Sequence, residues 1–191
     1  MLPTPPQSTT LPRVTHAYEP SAATPNLYQT LVEVENLTGQ PADIWYRRVM
    51  DWDVMPTAFS EYVTIRGNGA TSLLGTSDNG FDTPLPGALG GTRTSICPGA
   101  PVDADFVDAG PCDHGALFDF DFGSLAPGAS KTFSTYYGAA ATEAGAVAAL
   151  GAVGAESYSF GQPSTPDGPT LGTPNTFMFA FSSVGGGTLF T

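Results

Sequence analysis

From position 27 to 35 (LYQTLVEVE) side chains alternate: Tyr28, Thr30, Val32 and Val34 fall on one side of an extended chain, with Gln29, Glu33 and Glu35 on the other. A period of two marks a half-buried strand. Residues 44–54 (IWYRRVMDWDV) alternate again, placing Ile44, Tyr46, Met50, Trp52 and Val54 on one face with Arg48, and Trp45 and Val49 on the other with Arg47, Asp51 and Asp53. Between them NLTGQPAD is rich in turn formers, so the two runs are expected to pair as a hairpin. Further strands are predicted at 61–66, 71–75, 116–122, 131–138, 156–160 and 176–183, separated by turn signals such as GNGA, SDNG and SLAPGAS. Short strands at this density predict an all-β fold: an antiparallel β-sandwich or jelly roll.

One segment breaks the pattern. In TEAGAVAALGAV, 142–153, Val147, Leu150 and Val153 recur at helical spacing. Thr142 can cap the start, Glu143 suits the positive end of the dipole, and Gly154 can end the helix. Its small, Ala-rich face predicts a short helix lying flat on the sheet or capping the sandwich. Residues 1–25 hold six prolines and no sustained period, which reads as a Pro-rich extended arm, either free or lying along a neighbour or the domain's own edge. The sandwich domain is then 26–184, interrupted by a long Gly/Pro-rich loop at 84–112. A Gly-rich tail, 185–191, ends in Leu189 and Phe190, which could add a strand to a neighbour's sheet.

Charge narrows the function classes. The formal net charge is −12, with Lys131 the single lysine beside five arginines. That field repels phosphate backbones and anionic membrane surfaces, which excludes nucleic-acid binding. No apolar run approaches the roughly 20 residues a spanning helix needs, so membrane insertion is not expected.

The candidate chemistry is sparse. Cys97 and Cys112 flank CPGAPVDADFVDAGPC, where a disulfide would close a loop of about 16 residues, worth roughly 3 kcal/mol. Reduced loop thiols are the alternative; the bridge is preferred because exposed free cysteines are reactive. Asp78, Asn79 and Asp82 in SDNGFD, with Asp51 and Asp53 in DWD, are candidate calcium ligands, since calcium takes several loop oxygens. The alternative is that these are ordinary turn formers. The carboxylate pairs in DWD and DFDF need counter-charges, which Arg47, Arg48 or Arg66 on a neighbouring strand could supply. His114 has no nucleophile motif near it and reads as a hydrogen-bonded structural histidine. Trp45, Tyr62 and Tyr136 could stack sugars or simply pack. Asn36-Leu37-Thr38 fits the N-glycosylation sequon. No nucleophile–base pair, complete metal set or phosphate loop is present, so catalysis is not expected, and no cofactor beyond calcium.

Several stretches, including YRRVMDWDV, SDNGF, DHGALFDFDFG and TEAGAVAALGAVGAESYSFGQ, resemble together a β-sandwich module of large bacterial secreted and cell-surface proteins, over roughly residues 14–185. The resemblance implies non-catalytic display or assembly outside the cell. The leading expectation is a structural or adhesive sandwich that self-assembles through edge strands and terminal arms into a filament, surface layer or shell. Its partners are then other copies or other surface proteins. A calcium-dependent or glycan-binding surface module is the alternative, and a glycoside hydrolase using paired carboxylates a more distant one.

Overall fold

The computed structural model describes residues 11–67, 69–170 and 175–188. The elements run β1 (Arg13–Pro20), β2 (Leu27–Glu35), β3 (Ala42–Asp51), β4 (Glu61–Arg66), β5 (Leu73–Ser77), β6 (Phe106–Cys112), β7 (Gly115–Leu125), β8 (Ser130–Ala140), α1 (Glu143–Ala152), β9 (Ser157–Gln162), β10 (Ser164–Thr165), β11 (Gly168–Pro169) and β12 (Thr176–Ser182). Seven strands form one antiparallel sheet in the order β1-β2-β8-β12-β9-β4-β6, and three form a second, β3-β7-β5. The chain is therefore the all-β sandwich that its alternation predicts.

Alternation explains which side chains meet. Val32, Val34, Phe133, Phe179 and Phe181 of the large sheet are buried in one cluster with Ile44, Phe118 and Phe120 of the small one. The core is aromatic: Phe181 lies 5.0 Å from Phe118 and 4.8 Å from Phe120, and Tyr46 lies 4.8 Å from Phe133, centroid to centroid. On the far face of the large sheet Leu27, Tyr136, Met178 and Ala180 bury Ala146, Ala149 and Leu150 of α1. Thr142 Oγ1 accepts from Gly145 N at 3.1 Å and starts the helix as expected. The buried stripe is alanine-rich, with Val147 and Val153 at its margin, because small side chains let the helix approach the sheet closely. The Trp52 indole packs against Gly161, where a Cβ would come within 2.6 Å of the ring, and Nε1 donates to Ser159 Oγ at 3.1 Å.

Three expectations are corrected. First, β2 and β3 are not a hairpin: β2 pairs with β1 and β8, and β3 pairs with β7 in the other sheet. The chain crosses between sheets at Asn36, whose buried amide donates to Gln40 O at 2.9 Å and Leu125 O at 2.8 Å while its Oδ1 accepts from Thr38 N at 2.9 Å. That crossing replaces the turn which hairpin pairing would need, and it leaves the sequon asparagine without solvent access. Second, of the alternatives for the arm, residues 13–20 lie along the domain's own edge as β1, so the sheet begins at Arg13, ahead of the expected boundary at 26. Third, the end of the expected loop at 84–112 is strand β6, paired with β4 through two register shifts. The Gly-rich segment after β12 is docked where it is described: Glu156 Oε2 accepts from Val184 N at 2.7 Å and Gly186 N at 3.1 Å, and Thr71 N donates to Gly185 O at 3.0 Å.

Candidate functional site

The most concentrated chemistry lies on the outer face of the small sheet, beneath the segment from Asp78 to Asp105. Arg47 of β3 and Asp119 of β7 are directly opposed in register, and both side chains are fully buried. Arg47 Nε donates to Asp119 Oδ1 and Nη2 to Oδ2, each at 2.7 Å, while Nη1 donates to Thr83 O at 2.9 Å. Arg93, reaching down from the overlying segment, donates from Nη1 to Asp119 Oδ2 at 2.9 Å and from Nε and Nη2 to Asp103 at 2.6 and 3.0 Å. Gly87 N adds a further donor to Asp119 at 3.2 Å. Burial would raise the Asp119 carboxyl, but hydrogen bonds from Arg47 and Arg93, with the charge of Arg47, hold it below the usual carboxylate range. Gly75 makes room for this network, since a Cβ there would lie 2.0 Å from Asp103 Oδ1.

A second buried node sits at the other end of the segment. His114 Nδ1 is 3.3 Å from Asp78 Oδ2, and Nε2 is 3.2 Å from Glu61 O. Asp78 also accepts from Ile96 N at 3.2 Å and Cys97 N at 3.0 Å. Burial pushes Asp78 up, but hydrogen bonds from His114, Ser95, Ile96 and Cys97 outweigh it and hold it low. Glu61, also buried, accepts from Ser60 N at 3.0 Å and His114 N at 3.4 Å; burial dominates here and pushes its carboxyl up to about 7. Cys97 is bonded to Cys112, with Cα atoms 6.0 Å apart. The two nodes and the bridge therefore staple the segment to the sandwich at both ends, and Arg93 and Asp103, partly exposed, also line an open cavity of about 410 Å³ with Leu74, Gly87 and Gly91.

Among the described residues, Asp78, Cys97 and His114 form the one group of three metal-capable side chains with ligand atoms within 4.8 Å of one another. Its sulfur is spent on the disulfide and its other two members on each other. Among the described residues, no three of the acidic calcium candidates form such a group. Asp78 lies in this node; Asn79 donates to Thr94 Oγ1 at 2.8 Å and accepts from Phe81 N at 3.0 Å; Asp82 accepts from Thr83 N at 2.7 Å and faces Arg47 at 4.0 Å. Asp51 and Asp53 are exposed, and Asp51 is raised first by burial and then by the charges of Asp53 and Asp113. Of the proposed sugar platform, Tyr136 is buried beneath α1 with its hydroxyl 3.0 Å from Ser182 Oγ, while Trp45 and Tyr62 are half-buried on separate strands. Leu189 and Phe190 lie outside the described residues.

Two further surface features stand out. Tyr28, Trp52, Tyr137 and Phe177 line an open cavity of about 400 Å³ whose walls are almost wholly apolar. The Tyr137 hydroxyl accepts from Arg48 Nε at 2.8 Å, so one of the polar groups beside it is already engaged. A sugar needs several hydrogen-bond partners as well as a stacking ring, and this wall supplies mainly the ring. The second feature is β1, exposed at every one of its eight positions, including Val14 and Tyr18. No protein-family model, curated protein or solved structure matches the chain.

Proposed function

We propose that this chain is a non-catalytic structural or adhesive β-sandwich protein of the cell exterior, which works by assembling with other copies of itself through its sheet edge and terminal segments. The observation that carries the reading is β1: an eight-residue strand with every side chain exposed, at the end of a seven-stranded sheet. An edge of that length is a template for strand addition unless something covers it. The buried polar nodes support the same reading, because their charges are consumed in holding the overlying segment down. The disulfide supports an oxidising compartment, and no helix among the described residues is long and apolar enough to cross a membrane.

Sedimentation of the purified chain over a range of concentrations tests this. Species larger than one chain are expected, and a monomer at every concentration overturns the reading. Removing residues 1–10 and 189–191 is expected to leave the sandwich folded and to stop growth beyond a dimer. Residues 185–188 must be kept, because Gly185 and Gly186 are bonded to the body of the domain. Undiminished growth after both truncations takes the terminal segments out of the assembly.

A further inference from the structure

We infer that two copies of this chain pair through β1, antiparallel and centred on His16, to form a dimer with one continuous sheet. The inference rests on the self-assembly reading and names its first contact. The two edges of the large sheet differ. β6 pairs with its neighbour through two register shifts and carries Pro111, which has no N–H to offer. β1 instead runs in unbroken register with β2 over eight positions. Among the described residues β2 is its one strand partner, so its other edge presents a row of backbone donors and acceptors.

The sequence of β1 is self-complementary about His16. An antiparallel second copy in that register places Arg13 opposite Glu19, Val14 opposite Tyr18, Thr15 opposite Ala17 and His16 opposite its own counterpart. Both ends then carry an opposite-charge pair, and Val14 packs on Tyr18 twice. Pro12 and Pro20 fall opposite each other just outside the paired run, where no N–H is needed. Shifting by two residues either way loses the charge pairs or opposes Pro20 to Val14. Shifting by one joins the face that continues the core, marked by Val14 beside Val34 and His16 beside Val32, to the partner's opposite face. Arg13 already binds Glu35 of β2, so in the dimer its guanidinium lies between two carboxylates. The pairing covers Val14 and Tyr18, which are 54% and 74% exposed in the single chain. Because the contact is two-fold, it closes at two copies, and anything larger needs a different surface.

The test uses the full-length chain. Opposed residues of antiparallel strands have Cα atoms about 4.5–5.5 Å apart, inside the range a disulfide spans. His16→Cys is therefore expected to yield a covalent dimer under mild oxidation, and Thr132→Cys, exposed on β8, is not. Glu19→Arg opposes like charges at both ends and is expected to weaken dimerisation about tenfold or more, with Arg13→Glu/Glu19→Arg recovering part of the loss, because the swap also sets a carboxylate beside Glu35. Circular dichroism of each variant checks that the sheet is intact. Assembly that persists with no His16→Cys cross-link and no effect of Glu19→Arg overturns the β1 pairing and leaves the assembly reading standing. Association lost on removing residues 1–10 or 189–191, with Glu19→Arg silent, overturns it in favour of a terminal segment on that edge. A monomer throughout overturns both.

Discussion

Asp119→Ala is expected to cost about 3–5 kcal/mol of stability, because it leaves a buried guanidinium without its counter-charge. Arg47 is fully buried and spends two of its three nitrogens on Asp119. With the carboxylate gone, the remaining acceptor is Thr83 O at 2.9 Å, with Asp82 more distant at 4.0 Å. Arg93 loses less, since it keeps both bonds to Asp103. The measurement is the urea midpoint at an unchanged denaturant slope. Replacing the pair together, as Arg47→Met/Asp119→Leu, is expected to recover much of the loss, because the cost lies in the orphaned charge and a buried ion pair adds little over apolar packing. A single-variant loss below about 1 kcal/mol, the level of an exposed pair, would show that water reaches this site.

Stability is expected to fall as pH rises from about 4.5 to about 7, and Glu61→Gln is expected to abolish most of that fall. Glu61 has an ordinary value of 4.5 and is pushed by burial up to about 7 in the folded chain. The folded state therefore binds the proton more tightly than the unfolded state. Its contribution is complete below about pH 4.5 and is lost as pH rises through about 7, at a cost of about 3 kcal/mol. Asp78 and Asp119 act in the opposite sense: both are held below their ordinary 3.8, so their contribution is present above that pH and lost in stronger acid. Thermal melts across pH 4 to 8, about the span of these titrations, read the effect directly; a flat profile in the wild-type chain would mean that Glu61 is hydrated.

The strands were legible where one face is buried. At 27–35 and 61–66 the alternation gave the observed bounds, because Val32, Val34, Val63 and Ile65 mark the core side. β1 was legible only as part of an extended arm with the domain's own edge as one of its alternatives: with all its residues exposed it has no hydrophobic period to mark it as a strand. β6 was hidden by Gly110 and Pro111, which look like loop residues and occupy an irregular edge. Partnership was harder than existence. A period of two tells which face is buried and is silent on which strand lies alongside, so β2 and β3 looked like a hairpin while the buried Asn36 amide sends them to different sheets. The candidate site divides the same way. An arginine opposite DFDF was expected from charge balance, and Arg47 fills that place against Asp119. Arg93 was invisible, since its contact depends on how a Gly/Pro-rich segment folds back over the sheet.

Asn36 also bears on how the protein can be produced. Its amide nitrogen is committed to carbonyls on two separate segments, and the side chain has no path to solvent. The more distant carbonyl, on Leu125, is synthesised 89 residues later. In a eukaryotic secretory host the Asn36-Leu37-Thr38 acceptor would be open to a transferase before that partner exists. A glycan attached there has no space in the finished sandwich, so sugar addition and correct folding exclude each other at this position. A bacterial host without such a transferase, or an Asn36-sparing change of Thr38, avoids the conflict.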